Sequence, residues 1–170
     1  MHRSIHAAIA IVCWCLVAGA SAQLSDLDPD WKELQVAPPA TFSTDRLVPI
    51  EMPRYVTVKV GVDPDSLVVS PDGIVRYVVV ARSDSGNINA AYEGIWCRAG
   101  EVKTYARAGN DRKWVAVADP RWKKLTDSQP SMHALALARQ GVCDGRAAAS
   151  PSPRAILENL KQTPAQGSQR

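Results

Sequence analysis

Between Tyr55 and Ala118 apolar and polar side chains alternate in short runs separated by turn-forming residues, and after Pro120 the spacing becomes helical. Val56, Val58, Val60 and Val62 alternate with Tyr55, Thr57, Lys59 and Gly61, which predicts a strand with one face buried. A short apolar run from Ser66 to Ser70 leads into Ser70-Pro71-Asp72-Gly73, where Pro presets φ, Gly tolerates positive φ and Asp bonds locally. Ile74 to Arg82 follows, apolar on both faces at Val78, Val79 and Val80, so this strand is expected to be interior with a packing layer on each side. Ser83-Asp84-Ser85-Gly86 predicts another turn, Asn87 to Arg98 a long extended segment, Ala99-Gly100 a reversal and Glu101 to Ala108 the returning strand. Gly109 to Arg112 then turns into Lys113 to Ala118.

These connections are too short for crossover helices, so the strands are expected to form an antiparallel meander. Met132, Leu135, Ala136 and Arg139, with Ala138 and Val142, follow helical spacing, with Ser131 as a cap and Gly141 as the stop. After the small-residue linker Ala147 to Pro153, Ser152-Pro153 starts a second helix carrying Ile156, Leu157 and Leu160. The expected fold is α+β: an antiparallel β-meander sheet of five or six strands with two C-terminal helices packed against it. Residues 54–162 form this domain and 23–53 a Pro- and Asp-rich N-terminal arm, extended only near Arg46 to Ile50 and anchored by Trp31. Residues 163–170 read as a disordered tail.

The leader changes the picture most. Met1 to His6 is a short cationic start, Ala7 to Ala18 an apolar stretch, and Ala20-Ser21-Ala22 a small-residue cleavage site, together a signal peptide over 1–22. The apolar run ends after roughly 16 residues, short of the roughly 20 that span a bilayer. Lipidation at Cys13 or Cys15 is disfavoured because Val12 and Trp14, not small residues, precede them. The expected location is therefore the periplasm, with a lipid anchor the lesser alternative. Cleavage leaves one histidine, His133, and two cysteines, Cys97 and Cys143, in a chain long enough for one good core. The formal charge of +3 falls by one with Arg3, which is no footprint for a nucleic-acid partner.

An oxidising compartment favours a Cys97–Cys143 disulfide, worth about 4 kcal/mol by loop-closure entropy if unstrained. Separate thiols and a thiol nucleophile compete with it, though no CxxC spacing is present to lower a thiol pKa. A single mature histidine rules out a multi-histidine metal site, and Asp26, Asp28 and Asp30 lack the glycine and glutamate of a calcium loop, so neither metal nor cofactor is expected. Triads assemble across sequence, but no GxSxG or SxxK motif marks a serine that His133 would activate. Glu93, set between Tyr92 and Gly94 in a weakly polar strand, is the one carboxylate placed to join His133 in acid/base work. The plainer expectation pairs Glu93 with Arg76 or Arg107, and His133 with packing beside the helix. Arg121-Trp122-Lys123-Lys124 combines cations with an aromatic face and could touch an anionic surface, against a solvated turn with Trp122 tucked inward.

Ala91-Tyr92-Glu93-Gly94-Ile95-Trp96-Cys97, with Asp30-Trp31-Lys32-Glu33, Tyr105-Ala106-Arg107, His133 upstream of Cys143 and the Ile156 to Leu160 segment, resembles the CNP-one-like family of bacterial envelope proteins. The resemblance implies a Gram-negative secreted or lipid-anchored protein with one small β-rich domain, and no activity or catalytic residue to carry over. The expected function is a non-enzymatic binding or interaction module in the periplasm, using an open sheet face or the surroundings of Trp31, Tyr92 and Trp122. Its partner would be an envelope protein or a cell-wall or lipid component, with peripheral membrane contact open. The alternatives are an envelope hydrolase using Glu93 and His133, and an anionic-surface binder working through Arg121 to Lys124.

Overall fold

A computed structural model describes residues 30–127 and 132–162. The expected signal peptide over 1–22, Asp26, Asp28, the expected cap Ser131 and residues 163–170 lie outside the described residues. Eight strands form one antiparallel sheet: β1 (Val48–Pro49), β2 (Lys59–Val62), β3 (Val68–Val69), β4 (Val75–Arg82), β5 (Ile88–Trp96), β6 (Glu101–Ala108), β7 (Val115–Ala116) and β8 (Lys123–Lys124). The path runs β1-β2-β4-β5-β6-β7, with β3 also on β4 and β8 also on β6. Beyond it come α1 (His133–Leu137), a wider turn over Ala138–Val142, the hairpin β9 (Cys143–Asp144) and β10 (Ala147–Ala148), and α2 (Pro153–Gln162). The expected α+β meander with two C-terminal helices is the fold observed.

The three long strands fall where turn chemistry and alternation place them. Gly73 takes φ 79° and Gly86 φ 83° at the turns into and out of β4, a backbone region that costs glycine nothing. The Val56–Val62 alternation yields a ladder only from Lys59, because its partner β4 ends at Arg82, which pairs with Lys59. Val56 and Val58 have no strand beside them and turn back through a Val56 N–H bond to the Pro53 carbonyl, 2.9 Å. The helical stretch after Met132 widens beyond Leu137 and ends at the expected stop: Gly141 adopts φ 138°, and a Cβ there would stand 2.8 Å from Cβ of Asn159 on α2.

Both faces of the sheet are covered, as the doubly apolar centre of β4 requires. On one face Val62, Val75, Tyr77, Val79, Ala91 and Ile95 pack against Leu137, Val142, Ile156 and Leu160 from the helical end of the chain. On the other, Val78, Val80, Tyr92 and Ala106 pack against Phe42, with Leu47 and Trp114 beside them. The second layer is thus the N-terminal arm, residues 31–47, laid over the sheet without regular secondary structure of its own. A bulge in β6 lets Tyr92 oppose Ala106 while Glu93 opposes Thr104, leaving Tyr105 as the extra residue.

Candidate functional site

Two side-chain constellations stand out, one under each layer. Beneath the helices, Glu93 and Tyr77 are register partners on β5 and β4, so both project to the same face. Glu93 is 3% exposed. Its Oε2 accepts from the Tyr77 hydroxyl at 3.1 Å and faces His133 Nε2 at 2.7 Å, while Oε1 accepts from the Thr104 hydroxyl at 3.0 Å. Burial alone pushes the carboxyl up, but the His133 charge and hydrogen bond, with the Thr104 and Tyr77 donors, outweigh it and hold Glu93 below its ordinary value. Burial opposes the His133 cation, yet the Glu93 charge and hydrogen bond raise its pKa, against a smaller repulsion from Arg107. Both shifts favour a charged pair.

The expectation that Glu93 pairs with an arginine is corrected here. Arg76 opposes Gly94, one residue along, so the two-residue period sends it to the opposite face. Arg107 is exposed and acts on His133 only as a like charge. The bulge at Tyr105 and the fall of α1 bring Thr104 and His133 to Glu93 instead, and no local pattern announces either. Tyr77 was legible in principle, since strand alternation places it with Val75 and Val79.

Beneath the arm, Arg76 is 1% exposed and held by Asp72, whose Oδ2 accepts from Arg76 Nη2 at 2.8 Å and whose Oδ1 accepts from Nη1 at 3.1 Å. Burial pushes the Asp72 carboxyl up, but hydrogen bonds from Arg76 and the Leu34 and Ile74 amides leave it lowered. The Trp31 ring stacks on Trp96 at 3.9 Å and 11°, and its indole N–H donates to the Asp72 carbonyl at 2.8 Å. Glu33 accepts from Lys103 Nζ at 2.8 Å and from the Trp122 indole at 3.2 Å, with Arg76 4.0 Å away. Trp31 therefore anchors the arm as its sequence suggests, and the Arg76–Asp72–Glu33–Lys103 set is the part sequence reasoning passed over.

Of the expected binding-surface residues, Trp31 and Trp122 are half-buried against Trp96, and Tyr92 is 3% exposed beside Tyr105 and Trp114. A partner reaching these rings would have to move the arm. In the cationic run, Arg121 pairs with Asp119, Lys124 with Glu101 at 2.8 Å, and Trp122 points inward. Cys97 and Cys143 are joined, Cα atoms 5.7 Å apart, tying the end of β5 to the hairpin after α1. Among the described residues no three or more His, Cys, Asp and Glu side chains gather to hold a metal ion, and no helix is long and apolar enough to cross a membrane.

The architecture defines a disulfide-linked α+β domain whose eight-stranded sheet carries a buried Glu–His pair under its helices and an aromatic, cationic clasp under its arm. The chain belongs to the CNP1-like family, whose family model matches residues 26–161. It is similar to Cryptic neisserial protein 1 of Neisseria gonorrhoeae, at 27% identity over 116 residues, covering 61% of this chain and 56% of that protein. The match thus spans little more than half the relative's length. No solved structure matches the chain.

Proposed function

We propose that this chain is an exported, non-enzymatic binding or interaction module of the bacterial cell envelope, working in the periplasm. The observation that carries the reading is the closure of Glu93: Tyr77, Thr104 and His133 all bond a carboxylate that is 3% exposed, so the expected acid/base pair is engaged in internal bonding. The joined cysteines and the cleavable pattern of Met1 to Ala22 support an oxidising destination. A rigid sheet with both faces covered is a scaffold from which loops and the arm can present a surface.

Fractionated cells test this directly. Recovery from the periplasm of a chain cleaved after Ala22, lighter by two hydrogens, and reproducibly crosslinked to an envelope component is the expected result. Full-length polypeptide in the cytosol with both thiols open to alkylation overturns it. The 2.7 Å approach of His133 to Glu93 favours, as a second reading, an envelope hydrolase. That reading requires purified protein to turn over a cell-wall or lipid substrate and His133→Asn to abolish the turnover while the fold persists.

A further inference from the structure

The contacts under the arm divide cleanly into a groove and an occupant. The groove belongs to the body of the domain: Trp96 on β5, Lys103 on β6, Trp122 before β8, and Arg76 with Asp72 on β4 and the turn before it. The occupant is Trp31 to Leu34. Asp72 Oδ2 accepts the Leu34 amide N–H at 2.9 Å, and Arg76 Nη2 donates to the Leu34 carbonyl at 2.9 Å. One carboxylate–guanidinium fork therefore reads both main-chain groups of a single residue, whose own side chain stays 45% exposed. The fork is joined within itself, and Lys103 Nζ lies 5.5 Å from the ring centres of both Tyr105 and Trp122, so these groove residues have partners in the body of the domain besides those in the arm.

Three recognition elements follow in fixed order along the occupant: an aromatic slot against Trp96, a cationic seat for a carboxylate two residues on, and the main-chain fork at the next residue. This is how a peptide-binding groove reads an extended segment, with side-chain pockets for identity and backbone bonds for affinity. The arm forms no ladder over residues 31–47 and is attached by side-chain contacts and isolated bonds, which makes it the easiest layer to lift.

We propose that this face is a peptide-recognition groove for an extended segment of another protein bearing a tryptophan, any residue, a carboxylate, then a residue read through its backbone, and that the chain's own Trp31 to Leu34 occupies it in cis. The proposal rests on the binding-module reading and names its partner's chemistry. Because the cis segment competes at an effective concentration in the millimolar range, a partner gains the groove only where it is itself concentrated or held nearby.

The test uses the full chain carrying Trp31→Ala and Glu33→Gln, which empties the slot and the cationic seat, and a fluorescent peptide copying Asp30 to Pro38. Fluorescence anisotropy should show the variant binding this peptide at least tenfold more tightly than the wild type does. Peptides altered by Trp31→Ala, Glu33→Gln or Leu34→Pro should each lose tenfold or more, while Leu34→Ala should stay within twofold. If the doubly substituted chain fails to fold by near-ultraviolet circular dichroism, a protease site placed over residues 37–40 and cut after folding supplies the vacancy. The labelled peptide should then replace the severed arm. No binding by either emptied form at millimolar peptide, or binding indifferent to the tryptophan and to Leu34→Pro, overturns the groove. An envelope partner crosslinked elsewhere on the domain would still uphold the binding-module reading, so the two failures are separable.

Discussion

Removing His133 should cost far more than the Glu93–His133 pair itself contributes. Two unit charges about 4 Å apart attract by roughly 4 kcal/mol at an effective dielectric of 20, but desolvating each ion costs several kcal/mol, so the intact pair comes out near neutral. His133→Ala leaves a carboxylate that is 3% exposed with only the Tyr77 and Thr104 hydroxyls to hold it, an expected loss of about 3–5 kcal/mol. Glu93→Gln keeps an acceptor for Tyr77 and His133 and removes the charge, for about 1–2 kcal/mol. The double variant should therefore be more stable than the sum of its parts, recovering about 2 kcal/mol in a double-mutant cycle. Urea denaturation with the disulfide intact, repeated across pH, reads all three.

The pH dependence has a definite sign. His133 is raised above 6.5 in the folded state, so its contribution is full below that value and is lost as pH rises through the folded pKa. Glu93 is lowered below 4.5, so its contribution is present above that value and is lost as pH falls through the folded pKa. The wild-type advantage over Glu93→Gln should peak between those limits and shrink on the alkaline side. A difference that stays flat as pH rises well above 6.5 and falls well below 4.5, or a His133→Ala loss under about 0.5 kcal/mol, would refute a buried charged pair.

Replacing Cys97 and Cys143 together by serine should lower stability by about 4 kcal/mol and the melting temperature by on the order of 10 °C, read by thermal denaturation with reductant as a parallel arm. An unchanged melt would show that the cross-link constrains nothing. Trp31→Ala should loosen the arm by about 2 kcal/mol, accelerating proteolysis between Val36 and Thr41 while the core transition survives. Equal cleavage rates would count against Trp31 as the anchor. Gly94→Ala should cost about 1–3 kcal/mol by equilibrium denaturation, because its Cβ would stand 2.7 Å from Ile74 Cγ2 and 2.8 Å from the Tyr105 hydroxyl. A neutral effect would mean that the arm face packs more loosely than those contacts require.

What the sequence by itself determined are the features that short-range chemistry dictates. The Pro-Asp-Gly and Ser-Gly turns bounded β4, the Ala99-Gly100 reversal separated β5 from β6, and Ser152-Pro153 opened α2, because dihedral preference acts within a few residues. The doubly apolar centre of β4 even required a second layer, and Trp31 was legible as its fastening. Tertiary structure alone decided which residues meet. Glu93 finds His133 across 40 positions, Arg76 finds Leu34 across 42, and Lys103 finds Glu33 across 70. Such pairings depend on register, where one extra residue at Tyr105 reassigns the faces of everything beyond it, and on how far β4 extends, which left Val56 and Val58 without a partner despite their faultless alternation.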